Sequence, residues 1–175
     1  MKKYIFIDTE TTGLNAENDE LLSISVVDHD GKCIFNSLVK PEHCNNWTDA
    51  EKVNGITPNM VKNAPKFKVL MPVLNKIFKG KHIVAYNMAF DASFLGKTLR
   101  NADSLHCCMR AFAEYYGEID PESQDFKFKK LIFAVNECNP DFTFDSHTSL
   151  GDSLATREVW LRLMRYKYIA DKYGA

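Results

Sequence analysis

The chain predicts an α/β fold, a layered domain on a mixed sheet with an antiparallel first three strands and flanking helices. Three β-branched or aromatic runs open it, 4–8, 21–27 and 33–40, and the Asp28-His29-Asp30-Gly31 turn joins the last two as a hairpin. A short apolar strand, 82–86, then leads through Asn87 into a helical pattern, which is the signature of a parallel βα step. One further short strand and a helical remainder give the order βββ, α, βα, β, α.

Each element follows from local chemistry. After the hairpin comes a loop-rich section in which Thr48 is expected to cap a short helix through Val53, and Thr57-Pro58 to start another. From Phe67 to Phe78 the apolar residues Phe67, Leu70, Val73, Leu74 and Ile77 recur at helical spacing, with Pro72 expected to kink or divide the helix. The helix capped by Asn87 is expected to run through Ala92, Phe94 and Leu95 to about Arg100. Residues 105–107 read as a strand, 109–116 and 129–136 as helices, and the polar stretch 117–128 as a loop. A final amphipathic helix from Ser149 to about Tyr166 carries Leu150, Leu154, Val159, Leu161 and Leu163.

Length and composition restrict the function classes. The 175 residues suit a single domain, 1–175, with one sizeable core. No apolar run approaches the roughly 18 residues of a membrane-spanning helix. The four-residue apolar run after Lys2 and Lys3 is too short for a secretory signal, so a cytoplasmic location is expected and no membrane partner. The five cysteines are odd in number and form no C-x-x-C pair, so they read as reduced thiols. With 22 basic and 23 acidic residues, the chain lacks the charge to coat nucleic acid by bulk electrostatics. Any role on nucleic acid has to rest on a local site.

In YIFIDTETTGL the strand ends in Asp8 and Glu10, which a side-chain period of two points to one face. Alone, such a pair is usually a solvated strand end. Asp91 sits in the first turn of the helix after the 82–86 strand, where the helix dipole favours an acid, and Asp152 sits likewise in the last helix. His147 precedes Asp152 by five residues in SHTSLGD, and a lone loop histidine is commonly just solvated. Together, however, these residues fall at element termini, where α/β folds gather their sites.

The segments FIDTETTGL, VAYNMAFDASFL and HTSLGDSLAT resemble the three exonuclease motifs of the DnaQ-like 3′-to-5′ exonucleases, the DEDDh branch of the ribonuclease H-like superfamily. The similarity spans roughly residues 3–165 and implies a ribonuclease H-like layered fold. Asp8 and Glu10 match the first motif, and Asp91 the second, with Asn87 and Phe90 in its N-x-x-F-D setting. His147 and Asp152 match the third, in the His form and not the Tyr form. Asn54-Gly55-Ile56-Thr57 stands where the family often has H-G-I-T, which leaves open the contact its His would make.

The resemblance implies two Mg²⁺ or Mn²⁺ ions held by Asp8, Glu10, Asp91 and Asp152, with Asp8 bridging and Asp91 acting directly or through water. His147 is then the general base, a task suited to imidazole. Thr11, Thr12, Gly13 and Leu14 would seat the 3′-terminal nucleotide through backbone N–H groups and a Thr hydroxyl, with Leu14 and Phe90 as either base wedges or core. The implied partner is nucleic acid with a free 3′ end, single strands and DNA preferred. Alternatives are an RNA-trimming enzyme of the same family, an idle polymerase-associated binding module, or a nucleotide-binding protein, although no Gly-rich phosphate loop follows the first strand. The short stretch after the last expected helix favours a stand-alone exonuclease of repair or RNA processing over a proofreading subunit, and Glu10-Thr11-Thr12-Gly13 argues against the oligoribonuclease group. Lys127, Lys129 and Lys130 beside Phe126 and Phe128 either guide a single strand or form a solvated helix edge.

Overall fold

The computed structural model describes residues 4–174; Lys2 and Lys3 of the signal-sequence argument lie outside the described residues. Five strands, β1 (Tyr4–Thr11), β2 (Leu21–Asp28), β3 (Cys33–Leu38), β4 (His82–Ala85) and β5 (Ser104–Cys107), form one sheet of order β3-β2-β1-β4-β5. The β1–β2 and β2–β3 pairs are antiparallel, whereas β1–β4 and β4–β5 are parallel, as expected for the mixed sheet. The helices are α1 (Thr48–Asn54), α2 (Pro58–Val61), α3 (Phe67–Phe78), α4 (Met88–Leu95), α5 (Cys108–Tyr116), α6 (Leu131–Cys138), α7 (Ser149–Leu163) and α8 (Lys167–Tyr173), with a 3-10 turn over Gly96–Asn101.

Alternation along β1 divides the core in two. Tyr4 and Phe6 pack with α5, α6 and α7 around Phe112, Val135 and Trp160 on one face. Ile5 and Ile7 pack with α3 and α4 around Leu74, Phe78 and Leu95 on the other. The central strand is therefore buried on both sides, and its first residue free to be polar is Asp8, beyond the last residue of β1 that pairs with β4.

Several expectations are corrected. β1 continues three residues past Asp8, with an irregularity in its pairing to β2 between Glu10 and Thr11, a common device beside functional sites. β3 stops at Leu38, two residues before the expected end. Thr48 is the first helical residue of α1 and not its cap; Trp47 takes the cap position without a side-chain bond. Asn87 holds the cap position of α4 but caps nothing with its side chain, and α4 gives way to the 3-10 turn after Leu95. Pro72 does not divide α3, which runs unbroken over Phe67–Phe78; the missing N–H would have met the carbonyl of Lys68, and both residues are exposed. Val73 is 45% exposed; the buried stripe is Leu70, Leu74 and Phe78. α6 starts at Leu131, two residues late, and α7 ends at Leu163. The stretch expected to trail the last helix contains α8. Thr57 does cap α2, accepting from the Met60 N–H, and all five cysteines are free thiols. Among the described residues no helix is long and apolar enough to cross a membrane.

α8 is held by one buried acid. Glu114 of α5 accepts hydrogen bonds from Lys172 Nζ (2.7 and 2.8 Å) and Tyr173 Oη (2.5 Å), and also from Tyr168. Burial alone would raise its pKa, but these donors more than offset that and hold the carboxyl down at about 2. Such a group stabilises the fold above its unfolded-state pKa, and the contribution fades as pH falls toward about 2. Glu114→Ala, which strands three donors, is expected to cost about 1–3 kcal/mol and to expose α8 to proteolysis at neutral pH; wild-type resistance in a limited-proteolysis time course would contradict this account of α8.

Candidate active site

The site forms where β1, α4 and α7 meet. Because β1 alternates, Asp8 and Glu10 share the face of Phe6, toward α7, while Thr9 shares the face of Ile7, toward α4. α7 delivers Asp152 to the first face, and carboxylate oxygens of Asp8, Glu10 and Asp152 lie within 4.8 Å of one another. Asp91, only 2% exposed, comes from α4 on the opposite side, where the Thr9 hydroxyl donates to its Oδ1 (2.9 Å). The structure thus brings three of the predicted acids into one cluster and sets the fourth beside it across the strand.

Small residues let α7 approach the sheet. Ser149 Oγ lies 2.6 Å from Ser23 Oγ and 2.7 Å from Ser25 Oγ, and Ser153 Oγ donates to the Ser25 carbonyl (3.4 Å). Thr148 caps α7 by accepting from Gly151 N and donates in turn to the Asp145 carbonyl (2.7 Å). A Cβ at Gly151 would lie 2.0 Å from that same carbonyl oxygen, so only glycine allows the loop to fold onto the helix. His147 lies in this loop, exposed and at φ 63°, a conformation that costs a non-glycine residue about 1–2 kcal/mol. Its backbone N–H donates to Asp152 Oδ1 (3.3 Å), so the acid holds the loop and the imidazole projects outward.

The electrostatics are those of a site short of positive charge. Burial, then the charges of Asp91, Asp152 and Glu10, push the Asp8 carboxyl well above its usual range. Burial and the nearby Asp152 push Glu10 up to about 8, although a bond from Asn54 opposes this. Burial raises Asp91 to about 7 against the bond from Thr9, and Asp152 to about 6 against the His147 N–H. An all-carboxylate set suits hard divalent cations such as Mg²⁺ or Mn²⁺. The partly buried oxygens of Asp8, Glu10 and Asp152, mutually repelling and within 4.8 Å of one another, fit such ions on their own geometry.

Two clefts flank the acids. One, about 520 Å³, lies between the Thr11–Leu14 turn, α1 and Phe90, with Glu10 in its wall. The other, about 660 Å³, contains His147 and Asp152 and extends past Asn87 to α6. Leu14 is 87% exposed, so it is not core, and Phe90 is half-buried against Phe94 (5.1 Å between centroids). The Thr hydroxyls expected to meet substrate are engaged within the fold: Thr11 donates to the Gly13 carbonyl (2.5 Å), and Thr12 donates to Asp19 (3.1 Å) while accepting from Glu20 N (2.9 Å). A Cβ at Gly13 would lie 2.4 Å from Asp19 Oδ2, so a larger residue there would displace the carboxylate that the Thr12 hydroxyl and the Asn15 N–H bond. Asn54 donates to the Thr11 carbonyl (3.3 Å) and so closes the first cleft from α1. Thr9, Thr148 and Gly151 were not singled out by the sequence argument. Thr148 follows the capping rule for a residue just ahead of a helical pattern, and Thr9 follows strand alternation.

Each acid binds its proton more tightly in the folded chain than in the unfolded one. Without metal, stability is therefore fullest below the unfolded carboxylate range, about pH 4, and falls as pH rises through about 6 to 8. Thermal melts in a chelator are expected to give a higher Tm at about pH 5 than at about pH 8.5, and millimolar Mg²⁺ or Mn²⁺ to raise Tm selectively at the higher pH. Melts indifferent to both pH and metal would show that the cluster does not act as a metal seat.

The family model for exonucleases of the RNase T type matches residues 5–160. The chain is 31% identical over 164 residues to an uncharacterized exonuclease of Escherichia phage 186, covering 87% of this chain and 83% of that protein. It is 39% identical over 95 residues to the DNA polymerase III subunit epsilon of Treponema pallidum, spanning 53% of this chain but only 44% of that protein. Among solved structures it is similar to exonuclease X in complex with 5′ overhanging duplex DNA, with a TM-score of 0.72 at 23% identity over 94% of this chain and 93% of that one. The match over most of its length, on a ribonuclease H-like sheet with an acidic cluster at the end of its central strand, places this chain in the RNase T, or DnaQ-like, family of exonucleases acting on nucleic acid.

Proposed function

We propose that the chain is a metal-dependent 3′-to-5′ exonuclease that prefers single-stranded DNA and releases nucleoside 5′-monophosphates. The observation that supports this most directly is the convergence of Asp8, Glu10 and Asp152 within 4.8 Å between two clefts. Asp8, Glu10 and Asp152, with Asp91 from the other side of β1, would hold two Mg²⁺ or Mn²⁺ ions. When bound, such ions supply charge for the scissile phosphate, a lowered pKa for water and compensation for the leaving alkoxide.

The chain's own groups supply the rest. The turn around Gly13 forms one wall of a cleft that would seat the terminal nucleotide, with Leu14 exposed to meet its base and Phe90 on the facing wall. Asn87, exposed at the mouth of the second cleft, would line the path of the strand. His147 would accept the proton of the attacking water as the P–O3′ bond breaks and the shortened strand leaves with a free 3′-OH. Its outward imidazole on a loop fixed by Asp152 suits proton exchange with solvent after each turnover.

A 5′-labelled oligonucleotide with Mg²⁺ is expected to shorten stepwise, while a 3′-labelled one releases labelled mononucleotide at once; the reverse pattern would refute the polarity. Matched RNA run beside it tests the DNA preference. His147→Ala should lower turnover by about 10² or more while Mn²⁺ affinity, read by calorimetry, stays near wild type. Asp8→Ala should lose both activity and tight Mn²⁺ binding. Retention of both by Asp8→Ala would remove the metal assignment.

A further inference from the structure

The cleft on the His147 side carries features that holding a metal and seating the terminal nucleotide do not use. Phe128 is 53% and Ile132 49% exposed, and both line its walls with Phe144, which stacks on Phe142 (6.1 Å, 20°). Lys127 and Lys129 both pair with Glu118, and Lys129 also lies over the Tyr116 and Phe133 rings at 5.1 and 5.2 Å. Of the three lysines, Lys130 is the one that is exposed, lines the cleft and has no ion pair among the described residues. The frame that carries it is fixed, because the buried Tyr86 at the end of β4 donates its hydroxyl to the Lys129 carbonyl (2.7 Å).

We infer that this cleft binds the single strand on the 5′ side of the scissile bond, with a base against Phe128 and Ile132 and a phosphate at Lys130. The inference rests on the proposed exonuclease reading for its direction. A phosphodiester set at the acids has one neighbouring nucleotide in the Gly13 cleft, so the rest of the strand must leave past His147 and Asp152. There it meets exposed aromatic and aliphatic surface, which accepts any base, and in Lys130 a cation without an ion pair among the described residues, which complements a phosphate beside a cluster of carboxylates. The surface is continuous with the acid cluster, since His147 and Asp152 belong to its walls. DNA and RNA share this chemistry.

The test is fluorescence anisotropy with 5′-labelled thymidine oligomers of two, four and about ten nucleotides and matched uridine oligomers, in Ca²⁺, with oligomer integrity checked on gels. Wild-type affinity is expected to rise with length beyond two nucleotides, and Phe128→Ala/Lys130→Ala to abolish that rise and weaken binding of the longest oligomers about tenfold. Lys130→Ala alone should flatten the salt dependence of log Kd by about 0.7, and Lys130→Arg should restore it. Lys127→Ala, whose partner is Glu118, should bind within about twofold of wild type, which separates a strand contact from general surface charge. Wild-type affinity and salt slope in the double variant, with unchanged thermal melts, would overturn the subsite. Failure of wild type to cut these oligomers in Mg²⁺ or Mn²⁺ would instead count against the catalytic reading, and the binding arms decide the subsite in either case. Different length profiles for the two sugar types would assign the strand to DNA or RNA.

Discussion

The structure is organised around a repulsion. Asp8, Glu10 and Asp152 come within 4.8 Å of one another at a partly buried strand end, and Asp91 is buried just across the strand. No single element creates this arrangement: β1 supplies two carboxylates, and α4 and α7 press one each against it from opposite layers. Burial disfavours ionisation of all four, so the metal-free fold tolerates them only by keeping protons or by losing stability. The two-sided core is what offsets that cost, since Phe6 and Ile7 just before the acids are fully buried on opposite faces.

Every polar device near the acids serves to keep them in place. The Ser23–Ser25–Ser149 contacts replace the large apolar side chains that would hold α7 away from β2, and Gly151 removes the Cβ that would expel Asp145. The His147 loop is then held at its base by the Thr148 cap and at its crest by the Asp152 carboxylate. Asp152 therefore has two tasks, as a member of the cluster and as an anchor for the loop carrying the imidazole. A change in its charge state reaches His147 through that backbone hydrogen bond and through the direct charge interaction of the two residues.

Much of this was legible in the sequence for physical reasons. A period of two places Asp8 and Glu10 on one face whatever the tertiary context, and the hairpin and the βα step fix the mixed sheet. Strand alternation also places Thr9 opposite, but that it meets Asp91 depends on α4 packing, which is set by long-range contacts. The Thr11 and Thr12 hydroxyls looked available because a Thr-Thr-Gly turn does not reveal that Thr11 donates within the turn to the Gly13 carbonyl, or that Asp19 and Glu20 fold back to bond Thr12. α8 was missed because its anchor, Glu114, lies more than fifty residues earlier in sequence. Val73 misled because its helical spacing is right while its face is not.

The lysine cluster shows how charge bookkeeping changes once partners are known. Three neighbouring lysines suggest a basic surface, yet two of them share the single carboxylate of Glu118, which offsets one of their two charges and ties both side chains to one point. A chain with net charge −1 that concentrates four acids at one point presents a polyanion with a repulsive centre. In the proposed reading two divalent cations neutralise the charge of the four carboxylates locally, so strand binding and metal binding are thermodynamically linked through the same oxygens. The clefts on either side can then remain mostly uncharged. In that reading their contribution would be shape and apolar surface, which can accept a strand without reading its sequence.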